Sequence, residues 1–209
     1  MLNQELKSLA QTLLILLRGT PIVLYGDELG LKSKFENNKL VQPYMEWDNT
    51  ANCGFSSVNK SIVSKGCTSS VLLNTAHGAG DTDYDLFTNL VKLRLKESFL
   101  FGKLRILNET NVFSFMRTAD GFTPYLVIAH FNAKSKTQHL INFNALHEIP
   151  LHATIEYYYS IKSYNKDFTK GKKITTDRIL MSYGEIVILA LSDSDESEKA
   201  QSEKSSSLH

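Results

Sequence analysis

The sequence of 209 residues has no long hydrophobic run and little excess of either charge. Its longest apolar runs, Leu13 to Leu17 and Ile186 to Leu191, are far short of the ~20 residues of a membrane helix, so no span is expected in this chain. A formal net charge of +1 argues against a nucleic-acid-binding protein, because counterion-driven binding needs a basic stripe. The N-terminus also lacks the pattern of a signal peptide.

Several signatures of catalytic or metal chemistry are missing as well. The sequence has no Gly-rich phosphate loop, no G-x-S-x-G segment and no C-x-x-C pair, so we expect no cofactor. His130 and His139 fall in strand-like runs and are interpreted as ordinary sheet residues, with a contact at a sandwich edge as the alternative. No metal site is expected, because H-E-x-x-H spacing and ligand clusters are absent around the six histidines: His77, His130, His139, His147, His152 and His209.

The near-zero net charge conceals an uneven distribution along the chain. Residues 192–209 contain five acids, two lysines and seven serines, and Leu208 is their one large apolar residue. Such a segment cannot bury enough apolar surface to offset its ordering entropy, so we expect residues 192–209 to be a disordered acidic, Ser-rich tail. The remaining body is correspondingly basic.

Two segments predict helices, and a short apolar run between them predicts a strand. From Leu2 to Leu17 the leucines recur at intervals of three and four residues, which places an apolar stripe on a helix. Arg18 to Pro21 ends this helix, and Ile22 to Tyr25 is typical of a parallel strand buried on both faces. Residues 31–80 have little periodicity and predict a long loop, after which Asp83 to Ser98 again predicts a helix.

After Gly102 the pattern changes to short alternating runs separated by turn residues such as Asp120-Gly121. Regular short strands of this kind indicate an antiparallel sandwich or barrel. The boundary between the two regions is predicted near Gly102. The predicted strands are Val112–Met116, Tyr125–Phe131, Gln138–Phe143, Ile155–Ile161, Arg178–Met181 and Glu185–Leu191.

Two stretches are specific enough to indicate a family. Residues 18–30, R-G-T-P-I-V-L-Y-G-D-E-L-G, resemble the eighth-strand motif P-G-T-P-x-x-x-Y-G-[DE]-E-[IL]-G of the alpha-amylase superfamily of glycoside hydrolases. Residues 43–56 resemble the P-M-Q-W-D…N-A-G-F-S block that follows it in the oligo-1,6-glucosidase branch. The matching positions, for which the resemblance implies a structural role, are Gly19, Thr20, Pro21, Tyr25, Gly26, Asp27, Glu28, Gly30, Met45, Trp47, Asp48, Asn52, Gly54 and Phe55.

The resemblance implies a fold class, α/β plus all-β, in which the end of a (β/α)8 TIM barrel is followed by an antiparallel β-sandwich. Residues 1–101 would form the C-terminal part of the barrel, with its last helices, its eighth strand and the long loop 31–80. Residues 102–191 would form the sandwich domain. The catalytic acids of the resembled glycosidases come from earlier strands that have no counterpart in this chain, so we expect no catalytic residues.

Asp27 and Glu28 are the one carboxylate pair that invites a catalytic interpretation. Adjacent residues of an extended segment point to opposite faces, so they cannot flank a glycosidic bond ~5 Å apart as a retaining mechanism requires. Trp47 either stacks on a sugar in an active relative or anchors its loop against the barrel, and we favour the anchor.

The same branch includes non-enzymatic relatives, the heavy chains of heteromeric amino acid transporters. The glucosidases have a W-x-P-x-N and an N-V-x-x-Q segment before the next helix, and residues 57–84 contain neither. Residues 93–102, L-R-L-K-E-S-F-L-F-G, are similar to the heavy chains' R-x-K-E-R-S-L-L-x-G. These features favour a heavy chain.

We therefore expect a non-catalytic ectodomain fragment, on the extracellular side of the plasma membrane, that supports folding and surface delivery of a transporter light chain. The membrane helix and the cysteine that links the light chain would lie before residue 1. One alternative is the C-terminal part of an alpha-glucosidase, which would bind sugar and act in carbohydrate metabolism. Another is a truncated reading frame, in which Ile22 to Tyr25 would be an unpaired apolar edge.

Cys53 and Cys67 are the only cysteines, and the residues themselves leave a disulfide and two free thiols open. The resemblance favours the disulfide. Asn59 and Asn108 begin N-x-[ST] sequons and are glycosylation candidates if the chain enters the secretory pathway.

We predict that purified, unreduced protein has no free thiol, and that reduction under denaturing conditions exposes both Cys53 and Cys67. A thiol titration with and without reductant measures this directly. Two free thiols in the unreduced sample would exclude the pairing.

Overall fold

The structure is a computed structural model that describes residues 4–31, 34–36, 39–41, 44–48, 50–58, 82–108, 112–131, 138–161 and 165–191. The chain divides into two compact units, Met1–Gly19 with Lys92–His209 and, separately, Thr20–Val91. This division follows packing and groups the first helix with the strands, whereas the domain limits 1–101 and 102–191 remain a sequence prediction. Residues 192–209 and Cys67 lie outside the described residues.

Three α-helices occur in the described residues: α1, Gln4–Leu16; α2, Asp83–Arg94; and α3, Glu97–Leu100. The leucine spacing therefore predicted α1 correctly. Thr82 caps α2, since its hydroxyl accepts the Asp85 N–H at 3.1 Å and donates to the Asp85 carboxylate at 2.6 Å. No helix among the described residues combines the length and the hydrophobicity of a membrane span.

An antiparallel sheet dominates the larger unit. The strands of this unit are β3, Lys103–Asn108; β4, Phe113–Thr118; β5, Tyr125–His130; β6, His139–Ile141; β7, His152–Ser160; β8, Lys173–Thr175; β9, Ile179–Met181; and β10, Glu185–Ala190. The six-stranded sheet has the order β3-β4-β5-β10-β7-β8, and β6 pairs with β9 in a second, two-stranded sheet. All six strands predicted from the sequence are present, while β3 and β8 were not predicted.

The main core lies on one face of the six-stranded sheet. Ile128 of β5 and Val187 of β10, which pair across the sheet, pack there with Ile141 of β6 and Met181 of β9. Every residue of β5 and β10 is buried, so these central strands are covered on both faces. The antiparallel sandwich expected after Gly102 is therefore confirmed.

Helices α1 and α3 contact the other face of the sheet. Ser8 of α1 hydrogen-bonds to the Tyr159 hydroxyl of β7 at 3.2 Å, and the Phe99 ring of α3 lies 5.1 Å from the Tyr125 ring of β5. A Cβ at Gly102 would lie 2.2 Å from the Ser98 carbonyl oxygen, so the turn from α3 into β3 requires glycine.

Arg117 of β4 is fully buried beneath α1 and α3. Its guanidinium donates to the carbonyl oxygens of Leu16 at 2.7 Å, Phe99 at 2.7 Å and Gly102 at 3.2 Å. Burial lowers the pKa of Arg117, and the charges of the neighbouring arginines lower it further. Arg94, at the end of α2, also donates hydrogen bonds at the C-terminus of α1. Its guanidinium contacts the carbonyl oxygens of Ile15 in the helix and of Leu17 and Gly19 just after it.

The smaller unit departs from two sequence predictions. Ile22 to Tyr25 is not a strand, and Ile22 and Leu24 are 77% and 60% exposed. A buried parallel strand needs neighbouring strands on both sides, and the described residues provide none here. In the expected loop 31–80, β1 (Lys34–Glu36) and β2 (Lys39–Val41) pair as an antiparallel hairpin.

We predict that Arg117→Met lowers the free energy of unfolding by about 3 kcal/mol or more, because three buried carbonyl oxygens lose their donor. Arg105→Met is the matched control, since Arg105 lies on β3, is about half exposed and forms a surface ion pair with Glu148. Arg105→Met should lower the free energy of unfolding by less than about 1 kcal/mol, because an exposed ion pair contributes little. Urea unfolding followed by circular dichroism measures both, and equal costs would contradict the assigned role.

Candidate functional site

The first family motif forms a compact turn. Asp27, Glu28 and Leu29 make a 3-10 helix between Gly26 and Gly30, which both have positive φ angles of 83° and 70°. The Asp27 carboxylate accepts the Leu24 N–H at 3.1 Å. The expectation that Asp27 and Glu28 lie in an extended segment is therefore wrong. Asp27 nevertheless has a structural role, because its carboxylate stabilises the turn through this hydrogen bond.

The second motif packs against the first within the same unit. The Tyr25 hydroxyl accepts the Met45 N–H at 3.2 Å, and this bond joins the two motifs. The Trp47 and Asp48 N–H groups both donate to the Cys53 carbonyl, at 2.9 and 3.3 Å. The two motif segments that the sequence singled out are therefore brought together.

Asp48 organises the turn that follows it. Its carboxylate accepts the Thr50 hydroxyl at 2.5 Å and the Thr50 N–H at 2.8 Å, and these bonds lower the pKa of Asp48. Gly54 has a φ of 68°, and a Cβ there would lie 2.8 Å from the Asp48 carboxyl carbon. Glycine is therefore required at Gly54 by both backbone conformation and space.

Two further motif residues have unusual backbone angles. Asn52 and Cys53 have φ angles of 53° and 57°, in the left-handed region of backbone conformation that residues other than glycine rarely adopt. The Asn52 amide donates to the Val58 carbonyl at 2.7 Å and helps to close the loop. The geometry gives these positions structural roles and brings no pair of carboxylates together across a cleft.

The remaining predicted residues have mixed outcomes. Cys53 is buried, and Cys67 and Asn59 lie outside the described residues, so the disulfide and the glycosylation of Asn59 stay predictions. Asn108 ends β3. The Trp47 side chain is 49% exposed, more than expected of a buried loop anchor. Among the described residues, no three His, Cys, Asp or Glu side chains are grouped as a metal site would need.

The structure also contains a polar network that the sequence did not suggest. Glu185, at the start of β10, is buried, and its carboxylate accepts the Tyr158 hydroxyl at 2.8 Å and the Ser182 N–H at 2.7 Å. Burial raises the pKa of Glu185 against the effect of these bonds, and burial also raises the pKa of Tyr158. The network lies at a pocket of about 480 Å³ in the larger unit. Only the strand register brings these residues together, so no sequence motif marks them.

Comparison with solved structures defines the class of fold. An alpha-amylase from H. orenii superposes with a TM-score of 0.61 over 91% of this chain and 36% of the amylase, at 15% sequence identity. The chain therefore has the fold of the C-terminal part of an alpha-amylase-superfamily protein, a TIM-barrel end with a β domain, as the motifs predicted. At this identity the likeness concerns the fold alone.

In sequence, the chain resembles amino acid transporter heavy chains. It is 35% identical over 127 residues to the rat heavy chain SLC3A2 (Rattus norvegicus), which covers 59% of this chain and 22% of the relative. It is 26% identical over 192 residues to rat SLC3A1, covering 85% of this chain and 27% of that relative. The chain thus spans about a quarter of the length of these curated relatives. No protein-family model matches it.

We predict that Gly54→Ala destabilises the smaller unit by about 2–4 kcal/mol, from the positive φ and the contact with Asp48 together. In an Asp48→Ala background, where the contacting atoms are gone, the same change should cost only about 1–2 kcal/mol. Trp47 is the single tryptophan and lies in this loop, so its fluorescence during urea unfolding reports on it. Equal costs in both backgrounds would exclude the contact as the cause.

Proposed function

We propose that this chain is part of the ectodomain of an amino acid transporter heavy chain and has no catalytic role of its own. The observation that carries the proposal is the sequence similarity to curated heavy chains from rat and other mammals. The family motif is compatible with this proposal and with the glycosidase alternative, because Asp27 and Asp48 each hold a local turn. Side chains committed in this way support a fold and leave no free catalytic pair in the motif.

In this proposal the full protein assists folding and surface delivery of a transporter light chain, and this chain contributes part of the folded platform outside the cell. The predicted disulfide between Cys53 and Cys67 fits an oxidising compartment, since disulfides persist in secreted and cell-surface proteins. Glycosylation at Asn59 and Asn108 would follow from the same location.

The alternative, the C-terminal part of an alpha-glucosidase, is supported by the fold of the solved enzymes. A fold hosts many functions, so this support is weaker than sequence similarity to heavy chains. The transcript before residue 1 separates the two proposals. R-x-D and N-H-D motifs there would overturn the heavy-chain proposal, and a basic-flanked apolar span of ~20 residues without these acids would overturn the glucosidase.

We predict that this chain can replace the segment of rat SLC3A2 that aligns with it. The chimera would be expressed in cells that lack their own SLC3A2, and surface biotinylation and amino acid uptake would report delivery of the cells' light chain. Uptake should rise above that of cells without a heavy chain. The same chimera with Arg117→Met should lose this effect, and the chimera with Arg105→Met should keep it.

A chimera that reaches the surface without bringing a light chain would contradict the proposal. Retention of the chimera inside the cell, with rapid proteolysis, would equally show that this segment cannot serve in a heavy chain. The Arg105→Met chimera controls for the loss of one positive charge.

A further inference from the structure

The pocket beside Glu185 has the size of a small-molecule site. Its volume of about 480 Å³ lies within the ~300–1,000 Å³ typical of ligand pockets. Residues 165–168 form one side, with Lys166 and Phe168, and β8 and β9 contribute Ile174 and Leu180. It therefore lies within one compact unit, and its shape depends on strand pairing in that unit.

Positive charge predominates at the pocket. Lys166, Lys172 and Arg178 line it, together with the acids Asp167 and Glu185. Asp167 is already matched, because its carboxylate lies 3.4 Å from the Lys172 ammonium group. In the part of the chain that the structure describes, neither Lys166 nor Arg178 forms an ion pair. Among the described residues, two cations at the pocket thus have no acidic partner within ion-pair distance.

The remaining acid does little to cancel this charge. Glu185 is 2% exposed, and both of its carboxylate oxygens accept hydrogen bonds, from Tyr158 and from the Ser182 N–H. Burial raises its pKa, so its negative charge is disfavoured compared with that of an exposed glutamate. The Tyr158 hydroxyl also accepts the Asn165 N–H at 3.2 Å, which ties the pocket loop to this network.

The walls suit an organic molecule as well as an ion. Phe168 is buried, and its ring centroid lies 5.3 Å from that of Tyr158. Leu180 and Ile174 add apolar surface, while Gln138 and Asn165 provide amide groups that hydrogen-bond to hydroxyl or carbonyl oxygens. This combination is found in sites where a few polar groups orient a ligand whose body contacts apolar side chains.

We propose that this pocket binds a small organic anion, with a carboxylate or phosphate held by Arg178 and Lys166 and its body against Phe168 and Leu180. Charge-assisted hydrogen bonds from guanidinium and ammonium groups are the usual means of holding such anions. The proposal concerns the larger unit and is independent of any role in amino acid transport.

Isothermal titration of the full 209-residue chain with four probes tests the proposal: glucuronate, glucose 6-phosphate, glucose and inorganic phosphate. Glucuronate and glucose share a ring and differ in the carboxylate, so they isolate the charge. Glucose 6-phosphate and inorganic phosphate isolate the organic body. We expect at least one organic anion to bind with a Kd on the order of 1 mM or lower, more tightly than its neutral or inorganic counterpart.

Arg178→Met and Lys166→Met should each weaken binding of that anion about 10-fold or more, and added salt should weaken it further. Lys103→Met is the control, because this substitution also removes one positive charge. Lys103 lies on β3, at the opposite edge of the six-stranded sheet from β8. It should leave the affinity unchanged. Circular dichroism verifies that each variant is folded.

Two results would overturn the proposal. One is no saturable binding of either organic anion, and the other is that neither anion binds more tightly than its counterpart, glucose for glucuronate and inorganic phosphate for glucose 6-phosphate. A loss of affinity in Lys103→Met equal to that in Arg178→Met would assign the effect to general surface charge and would overturn the site.

Discussion

Two arginines at the C-terminus of α1 hold the larger unit together. The last carbonyls of a helix have no partners within the helix and carry a partial negative charge. Arg117 reaches them from β4 and Arg94 from the end of α2, so residues far apart in the sequence converge on one point. The partial charges of the helix end and the Phe99 and Gly102 carbonyls surround the buried guanidinium of Arg117 in place of a carboxylate.

This arrangement explains why α1 groups with the strands. Every residue of the central strands β5 and β10 is buried, so these strands need cover on both faces. The two-stranded sheet and its loops cover one face, and α1 with α3 contacts the other. Residues of α1 and α3, which precede Gly102, thus pack against the strands of the β domain.

The sequence predicted those helices and strands whose hydrophobic pattern matches the burial that their residues have in the folded structure. The leucine spacing of α1 and the short strand-like runs of β4, β5, β7 and β10, each bounded by turn residues, belong to this class. Ile22 to Tyr25 has the composition of a buried strand, but such a strand needs pairing partners that lie elsewhere in a chain. The hydrogen bonds of Arg117 and the Tyr158–Glu185 pair join residues of different elements, so they depend on how the elements pack and no local sequence pattern marks them.

The family motif shows why a fold can be recognised when a function cannot. Tyr25, Asp48 and Gly54 each satisfy a constraint inside their own unit: a hydrogen bond between segments, a closed turn, and a positive φ beside a carboxylate. None of these contacts involves a sugar, so the residues fill these roles whether or not the protein hydrolyses one. The motif therefore identifies the fold, and the choice between transporter heavy chain and glycosidase depends on residues outside it.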